Sequence, residues 1–395
     1  MKKYLKLLMY KTRILNFIYK LFWIFPIKNN KIFCLNFDGK QYGESPKYIV
    51  EELNKNSEYD VVWGIKDIDK TEKNIRYVKM YTFNFFYELA TSKIWIFNTR
   101  KKFFISKRKK QYYVQTWHGC IALKKIEKDV EELLPKTYIM DAKKDSKDID
   151  LFVSSNKIFS EQCKTAFDYY GEIIEEGTPK NDLLINGKFN KEELYKKLNI
   201  NKDVKLILYA PTFRENYEND PYDIDLQEMI NKLEEITNQK WLACVKFHPN
   251  YLYTNKYQQE NKCDKIKIEE IKNLDIAELI LLADIVITDY SSIMFDAMII
   301  NKNVILYVKD LKEYNKERGM YFDIENLPFI VAYNNEDLLN KIEKNIYSNQ
   351  YLENYKEFKR KIGLNETGHA SKSIAERIEK QIKMNESRKE ENGNT

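Results

Sequence analysis

The sequence predicts an α/β fold made of two doubly wound domains, each a parallel sheet covered by helices on both faces. Three observations predict it. Short apolar runs alternate with helical patterns along most of the chain, the signature of parallel strands buried on both sides. The alternation gives way to a helix-rich connection near 190–200 and then restarts. The length of 395 residues divided by ~150 residues per domain allows two or three domains.

Residues 2 to about 27 mix apolar residues with Lys and Arg. Lys2, Lys6, Arg13 and Lys20 fall on one helix face and Leu5, Leu8, Met9, Leu15 and Phe22 on another. This predicts an amphipathic helix lying in a membrane surface, with Phe22, Trp23 and Phe25 near the interface. The plainer alternative is the same helix packed on its own domain. No uncharged stretch of ~20 residues favours a span, and Lys20 interrupts the apolar run that a signal peptide would need.

Strands are expected at 31–37, 59–64, 94–97, 112–115, 151–153 and 171–174, and a helix opens at Ser45-Pro46 and runs to about Leu53. After the connection, strands are expected at 205–209, 241–247, 284–288 and 303–307. Helices are expected at 225–238, 276–282 and 291–299. An amphipathic helix at about 371–384 follows, and the polar residues 386–395 predict a disordered tail.

Hydrophobic residues at 43% and charged residues at 32% exclude wholesale disorder. The net charge of +6 is uneven: eight Lys or Arg and no acidic residue precede Asp38. That asymmetry favours an anionic surface as partner. Nucleic acid is disfavoured, because no zinc-finger, RRM or KH signature accompanies the charge. The five cysteines are scattered without a CxxC pair, which fits reduced thiols in the cytoplasm.

Only three histidines occur, and histidine is the side chain suited to proton transfer near neutral pH. His118 stands in Gln115-Thr116-Trp117-His118-Gly119, just after an expected strand, where open α/β sheets place ligands. Lys124, Lys125 and Lys128 follow and can face a phosphate, or they are solvated surface lysines. The plainer alternative is a satisfied core histidine beside a core tryptophan. His248, in Lys246-Phe247-His248-Pro249-Asn250, also ends a strand and can donate to a phosphate oxygen; alone it reads as a turn residue. Thr288-Asp289-Tyr290-Ser291-Ser292 joins a strand to a helix, and its hydroxyls with the helix-start N–H groups form an anion site. The two serines can equally be N-caps. There is no P-loop lysine. Arg214 and Arg318-Gly319 offer guanidinium groups that match phosphate, although most arginines are surface residues.

In order and spacing, these pieces resemble the CDP-glycerol glycerophosphotransferase family of teichoic-acid and capsule synthesis. QTWHG at 115–119, GTPKND at 177–182, YAPTFR at 209–214 and KFHPN at 246–250 carry the resemblance. So do ITDYSSIMFDAMIINKNVILY at 287–307, LKEYNKERGMYFD at 311–323 and GHAS at 368–371. The resemblance implies a GT-B-like architecture, two Rossmann-like domains with the active site in an interdomain cleft. The division expected is a membrane-surface helix at 1–28, an acceptor domain at 29–190 and a CDP-donor domain at 200–370. A C-terminal helix at 371–385 and the tail at 386–395 complete it.

The resemblance also assigns roles. His118 and His248 become the catalytic pair, with His118 as the base that takes the acceptor proton. His248, Ser291, Ser292 and Arg318 surround the pyrophosphate. Arg214, Thr288, Asp289 and Gly319 complete the substrate-binding set, Asp289 as an orienting group. No metal or other cofactor is expected. The expected partners are CDP-glycerol, a lipid-linked or glycan acceptor and an anionic membrane surface at the cytoplasmic face, and a homo-oligomer is compatible. Rival readings are a nucleotide-sugar glycosyltransferase of the same architecture, a CDP-ribitol enzyme and an inactive binding module. Cys120-Ile121-Ala122 stands where the family often has threonine-proline, which leaves the acceptor open. His369 receives no role.

Overall fold

The structure, a computed structural model, describes residues 13–393 apart from 41, 56–58, 68–74, 120, 188–189, 213, 215–221, 248–263, 269–270 and 272–273. It divides into two compact units. The chain leaves the first unit for Ile121–Lys125, returns, leaves again for Leu183–Leu364 and re-enters it at Asn365.

The first unit carries strands β1 (Lys28–Leu35), β2 (Asp60–Ile65), β3 (Arg76–Lys79), β4 (Ser92–Phe97), β5 (Tyr112–Gln115), β6 (Leu151–Ser154) and β7 (Glu172–Glu175). Their order is β3-β2-β1-β4-β5-β6-β7, and every pair is parallel. Side chains alternate across a strand, and here most aromatic strand residues fall on one face and most aliphatic ones on the other. Phe33, Trp95, Phe97, Tyr113 and Phe152 build an aromatic core on one face. Ile32, Cys34, Ile94, Ile96, Val114, Leu151 and Val153 build an aliphatic core on the other.

The helix Glu44–Leu53 covers the aliphatic face through Ile49, Val50 and Leu53. The same face is closed by Ile374, Ala375, Ile378 and Ile382 from the helix Ala370–Gly393. The backbone is therefore helical through 393, where polar composition had predicted a disordered tail from 386. A Lys- and Glu-rich stretch is also a good helix former, so composition alone did not separate the two states. The GTPKND and GHAS motifs meet here. Asp182 accepts the Ala370 and Ser371 N–H groups at 3.0 and 2.7 Å, and Glu366 accepts Thr178 N–H at 3.0 Å and the Asn181 amide at 2.9 Å. Gly177 has φ +112°, and a side chain there would meet Glu366 Oε2 at 2.9 Å. The His369 ring is exposed; the motif around it latches the last helix to the sheet.

At the N-terminus, residues 13–21 are helical. Lys2, Leu5, Lys6, Leu8 and Met9 lie outside the described residues. Leu15, Ile18, Phe22 and Trp23 pack on the aromatic core beside the fully buried Tyr19, whose hydroxyl donates to the Ser106 carbonyl at 2.9 Å. Leu15 and Phe22, expected on the membrane side, are thus turned to the protein. Phe17 and Ile24 are 65% and 82% exposed, and Leu21, Phe25 and Phe83 are exposed with them.

The second unit carries β8 (Lys205–Tyr209), β9 (Trp241–Val245), β10 (Ile266–Lys267), β11 (Ile285–Thr288), β12 (Asn303–Tyr307) and β13 (Ile330–Ala332). Their order is β10-β9-β8-β11-β12-β13, again parallel throughout. The strands β3, β10 and β13 were not foreseen. β3 has one buried residue in four, and β10 and β13 have two and three residues, so none gives an apolar run. Among the described residues no helix is long and apolar enough to cross a membrane.

Candidate active site

In an open parallel sheet, ligands bind beyond the carboxyl ends of the strands where the strand order reverses. In the first unit that point lies between β1 and β4, and Asn36 and Phe37 follow β1 while Asn98 follows β4. His118 follows β5, the next strand.

A buried network builds the His118 loop. The Arg100 guanidinium pairs with Asp145 and Glu127, both at 3.0 Å, and Asp145 accepts the Tyr113 hydroxyl at 3.0 Å. The Gln115 amide donates to that hydroxyl at 2.9 Å, and its oxygen accepts Trp117 N–H at 3.0 Å. This holds Trp117 at φ +51°, a left-handed conformation that a bulky residue adopts only when its surroundings enforce it. The indole packs edge-on against Phe167 at 4.7 Å and lies 4.2 Å from the imidazole.

His118 is half-buried. Its Nδ1 lies 2.9 Å from the Asn98 carbonyl oxygen. A carbonyl only accepts, so Nδ1 carries the proton and Nε2 keeps its lone pair. Burial pushes the imidazole down to about 4; the bond to Asn98 acts the other way, and the Lys180 charge adds to the lowering. The ring is therefore neutral at physiological pH, with an unprotonated Nε2, the form a general base requires. Lys128, grouped with a phosphate site in the sequence, pairs with Asp168 at 3.1 Å in this unit.

The second unit repeats the arrangement. Its order reverses between β8 and β11, and Thr212 and Arg214 follow β8 while Asp289 to Ser292 follow β11. Asp289 accepts Thr212 N–H at 2.9 Å, Tyr290 N–H at 2.6 Å and the Arg214 guanidinium at 2.9 Å. Arg214 Nε donates to Asp310 at 2.8 Å. The guanidinium also lies 4.9 and 4.6 Å from the ring centres of Tyr290 and Tyr314, which stack 3.6 Å apart. Burial works against the charge on Arg214, but the two carboxylates outweigh it and raise its pKa.

Thr288 is fully buried and donates to the Ala210 carbonyl at 2.7 Å. Ser291 and Ser292 are half-buried at the start of the helix Ile293–Ile299. Ser291 Oγ accepts Ile293 N–H at 3.4 Å, and Ser292 makes no cap bond. Gly319 ends the helix Leu311–Arg318 at φ +70°. Its carbonyl accepts Lys125 N–H at 3.2 Å, and Tyr321 N–H donates to Leu123 at 2.8 Å, so the segment after QTWHG belongs to this unit. The Lys124 ammonium sits 4.3 Å over the Tyr314 ring. His248 and the Arg318 side chain lie outside the described residues.

Asn36, Asn98, Asp310, Tyr290, Tyr314 and Lys246 were not singled out in the sequence. Lys246 donates to the Ile271 and Leu274 carbonyls at 3.1 and 2.9 Å, and burial lowers it to about 8. Of these, Asn98 carries a local signal, a polar residue directly after the apolar strand β4.

Comparison with known proteins identifies the family. The family model described as CDP-Glycerol:Poly(glycerophosphate) glycerophosphotransferase matches residues 17–380. The teichoic acid poly(glycerol phosphate) polymerase of Bacillus spizizenii is 30% identical, over 93% of this chain and 96% of its own. The teichoic acid glycerol-phosphate transferase of Staphylococcus aureus is 30% identical, over 91% and 95%. Among solved structures, the wall teichoic acid polymerase TagF superposes with a TM-score of 0.80 at 27% identity, covering 94% of this chain and 95% of that one. A Neisseria meningitidis UDP-GlcNAc 2-epimerase, at a TM-score of 0.55 and 14% identity over 89% and 100%, shares the fold alone. With two doubly wound units and a family match over nearly the whole length, this chain belongs to the CDP-Glycerol:Poly(glycerophosphate) glycerophosphotransferase family.

Proposed function

We propose that the chain moves glycerol phosphate from CDP-glycerol to a hydroxyl of a lipid-linked or glycan acceptor during teichoic-acid or capsular polymer synthesis. The observation that carries the reading is the His118 imidazole, fixed by the Asn98 carbonyl with Nε2 unprotonated. The acceptor oxygen attacks the phosphorus that bears glycerol, and its proton passes to Nε2. The bond from that phosphorus to the bridging pyrophosphate oxygen breaks, and CMP leaves with the electron pair. Such a transfer depends on positioning and charge neutralisation. His248, Ser291, Ser292, Arg318 and Gly319 are assigned to the donor pyrophosphate. Arg214 and Asp289 tie the segments after β8 and β11 together, and Thr288 fixes the end of β11.

A donor screen tests the reading. Incubation with CDP-glycerol and a short glycerol phosphate acceptor is expected to release CMP and lengthen the acceptor by one glycerol phosphate in mass spectra. Release of UMP or UDP from a UDP-sugar, with CDP-glycerol inert, would make the chain a glycosyltransferase. Turnover with CDP-ribitol alone would change the donor.

The N-terminal segment is assigned to an anionic membrane surface at the cytoplasmic face. Exposed Phe17, Leu21, Ile24, Phe25 and Phe83 lie among exposed Arg13, Lys20 and Lys28, the combination that seats a protein in a charged interface. Cosedimentation with phosphatidylglycerol vesicles is expected to fall several-fold in a Phe17→Glu/Ile24→Glu variant and to weaken with salt. Equal recovery of variant and wild type would remove this surface from membrane binding.

A further inference from the structure

Beside His118 the first unit has polar groups that its own hydrogen bonds leave over. Asn98 Oδ1 accepts Phe37 N–H at 2.8 Å, so the other end of the Asn98 amide is its donor. That donor is given to Asn36 Oδ1, which fixes the Asn36 amide in turn: its oxygen faces Asn98 and its NH₂ faces away. Asn36 is fully buried, yet its Nδ2 has no hydrogen-bond partner. A buried donor left unpaired costs stability, and a ligand that accepts from it removes the cost.

The group points at a helix start. Asn36 Nδ2 lies 3.8 Å from the position a Cβ on Gly43 would take. Gly43 is the N-cap of the helix Glu44–Leu53, and no side chain caps that end. The first N–H groups of a helix have no intrahelical acceptor and carry the positive end of its dipole. On the first turn, Ser45 is buried with its hydroxyl also unpartnered. The Lys180 ammonium is 3.7 Å from the Glu44 carboxylate, and its charge is felt at His118.

We propose that the start of the helix Glu44–Leu53, with the Asn36 amide and Lys180, seats the phosphate of the acceptor and so holds the acceptor hydroxyl beside His118. The inference rests on the transferase reading above and adds to it which part of the acceptor is recognised. It also specifies the charge state. Glu44 offsets the Lys180 charge, which leaves the amide donors and the helix end as the net attraction. That suits the single negative charge of a phosphodiester at a chain end better than a dianionic monoester.

The test compares two acceptors, a methyl glycerophosphodiester and the neutral methyl glycerol ether, in wild type and Asn36→Asp. The substitution keeps the oxygen that Asn98 needs and turns the donor into a negative charge. The KM for the diester is expected to rise roughly 10- to 100-fold, the cost of losing a charge-assisted hydrogen bond. The ether KM and the CDP-glycerol KM should stay as they were. A kcat loss shared by both acceptors would mean that Asn36 only supports the base. A change in the CDP-glycerol KM alone would assign the phosphate to the donor; either result overturns the proposal. Binding of the diester without donor, followed by saturation-transfer NMR, reads the subsite without turnover. Saturable binding lost in Asn36→Asp supports it, and binding equal in both proteins overturns it. If CDP-glycerol released no CMP, the transferase reading would fail while this binding result stood on its own.

Discussion

Replacing His118 with alanine is expected to lower kcat by about 10²–10⁴-fold while CDP-glycerol still binds. At the His118 loop the imidazole has a lone pair held ready: Nδ1 is committed to the Asn98 carbonyl, and Nε2 remains. Removing the ring removes the proton acceptor, and the donor-side residues are untouched. The pH profile carries a second signature. With the imidazole lowered to about 4, the acid limb of kcat/KM that belongs to this residue should fall near pH 4, not near the usual 6.5. Stability follows the same titration. On acidification the unfolded chain takes up the proton first, so stability is lost between about pH 6.5 and 4 and is unaffected above that window. A limb at 6.5 that survives in His118→Ala would assign the base elsewhere.

Replacing Arg214 with methionine is expected to destabilise the second unit by about 3–5 kcal/mol, the usual cost of breaking a buried ion pair. Its melting temperature should fall by roughly 10 °C. The guanidinium is nearly inaccessible and lies between two carboxylates, Asp289 at 2.9 Å and Asp310 at 2.8 Å. Without it both stay behind, Asp289 almost fully buried. Arg214→Lys should recover only part of the loss, since one ammonium cannot reproduce the planar fork. Urea unfolding and the CDP-glycerol KM separate two roles. A large stability loss makes Arg214 the strut of the site; unchanged stability with a raised KM makes it the phosphate contact expected from the sequence.

The two sheets were legible because parallel strands buried on both faces are written as short apolar runs. Of the four edge strands only β7 was; β3, β10 and β13 were not, since a strand such as β3 buries little and leaves no such run. The placement of His118 was legible for a similar reason: a strand ends at Gln115 and Gly119 follows. Its chemistry was not. The tautomer depends on Asn98, twenty positions earlier, and the neighbouring donor on Asn36, more than eighty positions earlier. Only the order β1-β4-β5 brings them to one end of the sheet. Asp289 was read as an orienting group, and the structure shows it holding Arg214 and Thr212. Asp310 carries no local signal that distinguishes it from a turn aspartate.

The return of the chain to the first unit sets an order of events during synthesis. The second unit is complete in the nascent chain once Leu364 has emerged, whereas the first still lacks residues 365–395. Until then the aliphatic face of its sheet is without Ile374, Ile378 and Ile382, and each such side chain contributes about 1.5–3 kcal/mol when buried. The unit that begins first on the ribosome is thus the one that closes last, and a message cut short after Leu364 would yield a finished second unit joined to a partner with a bare apolar face. Such surfaces promote aggregation and engage chaperones.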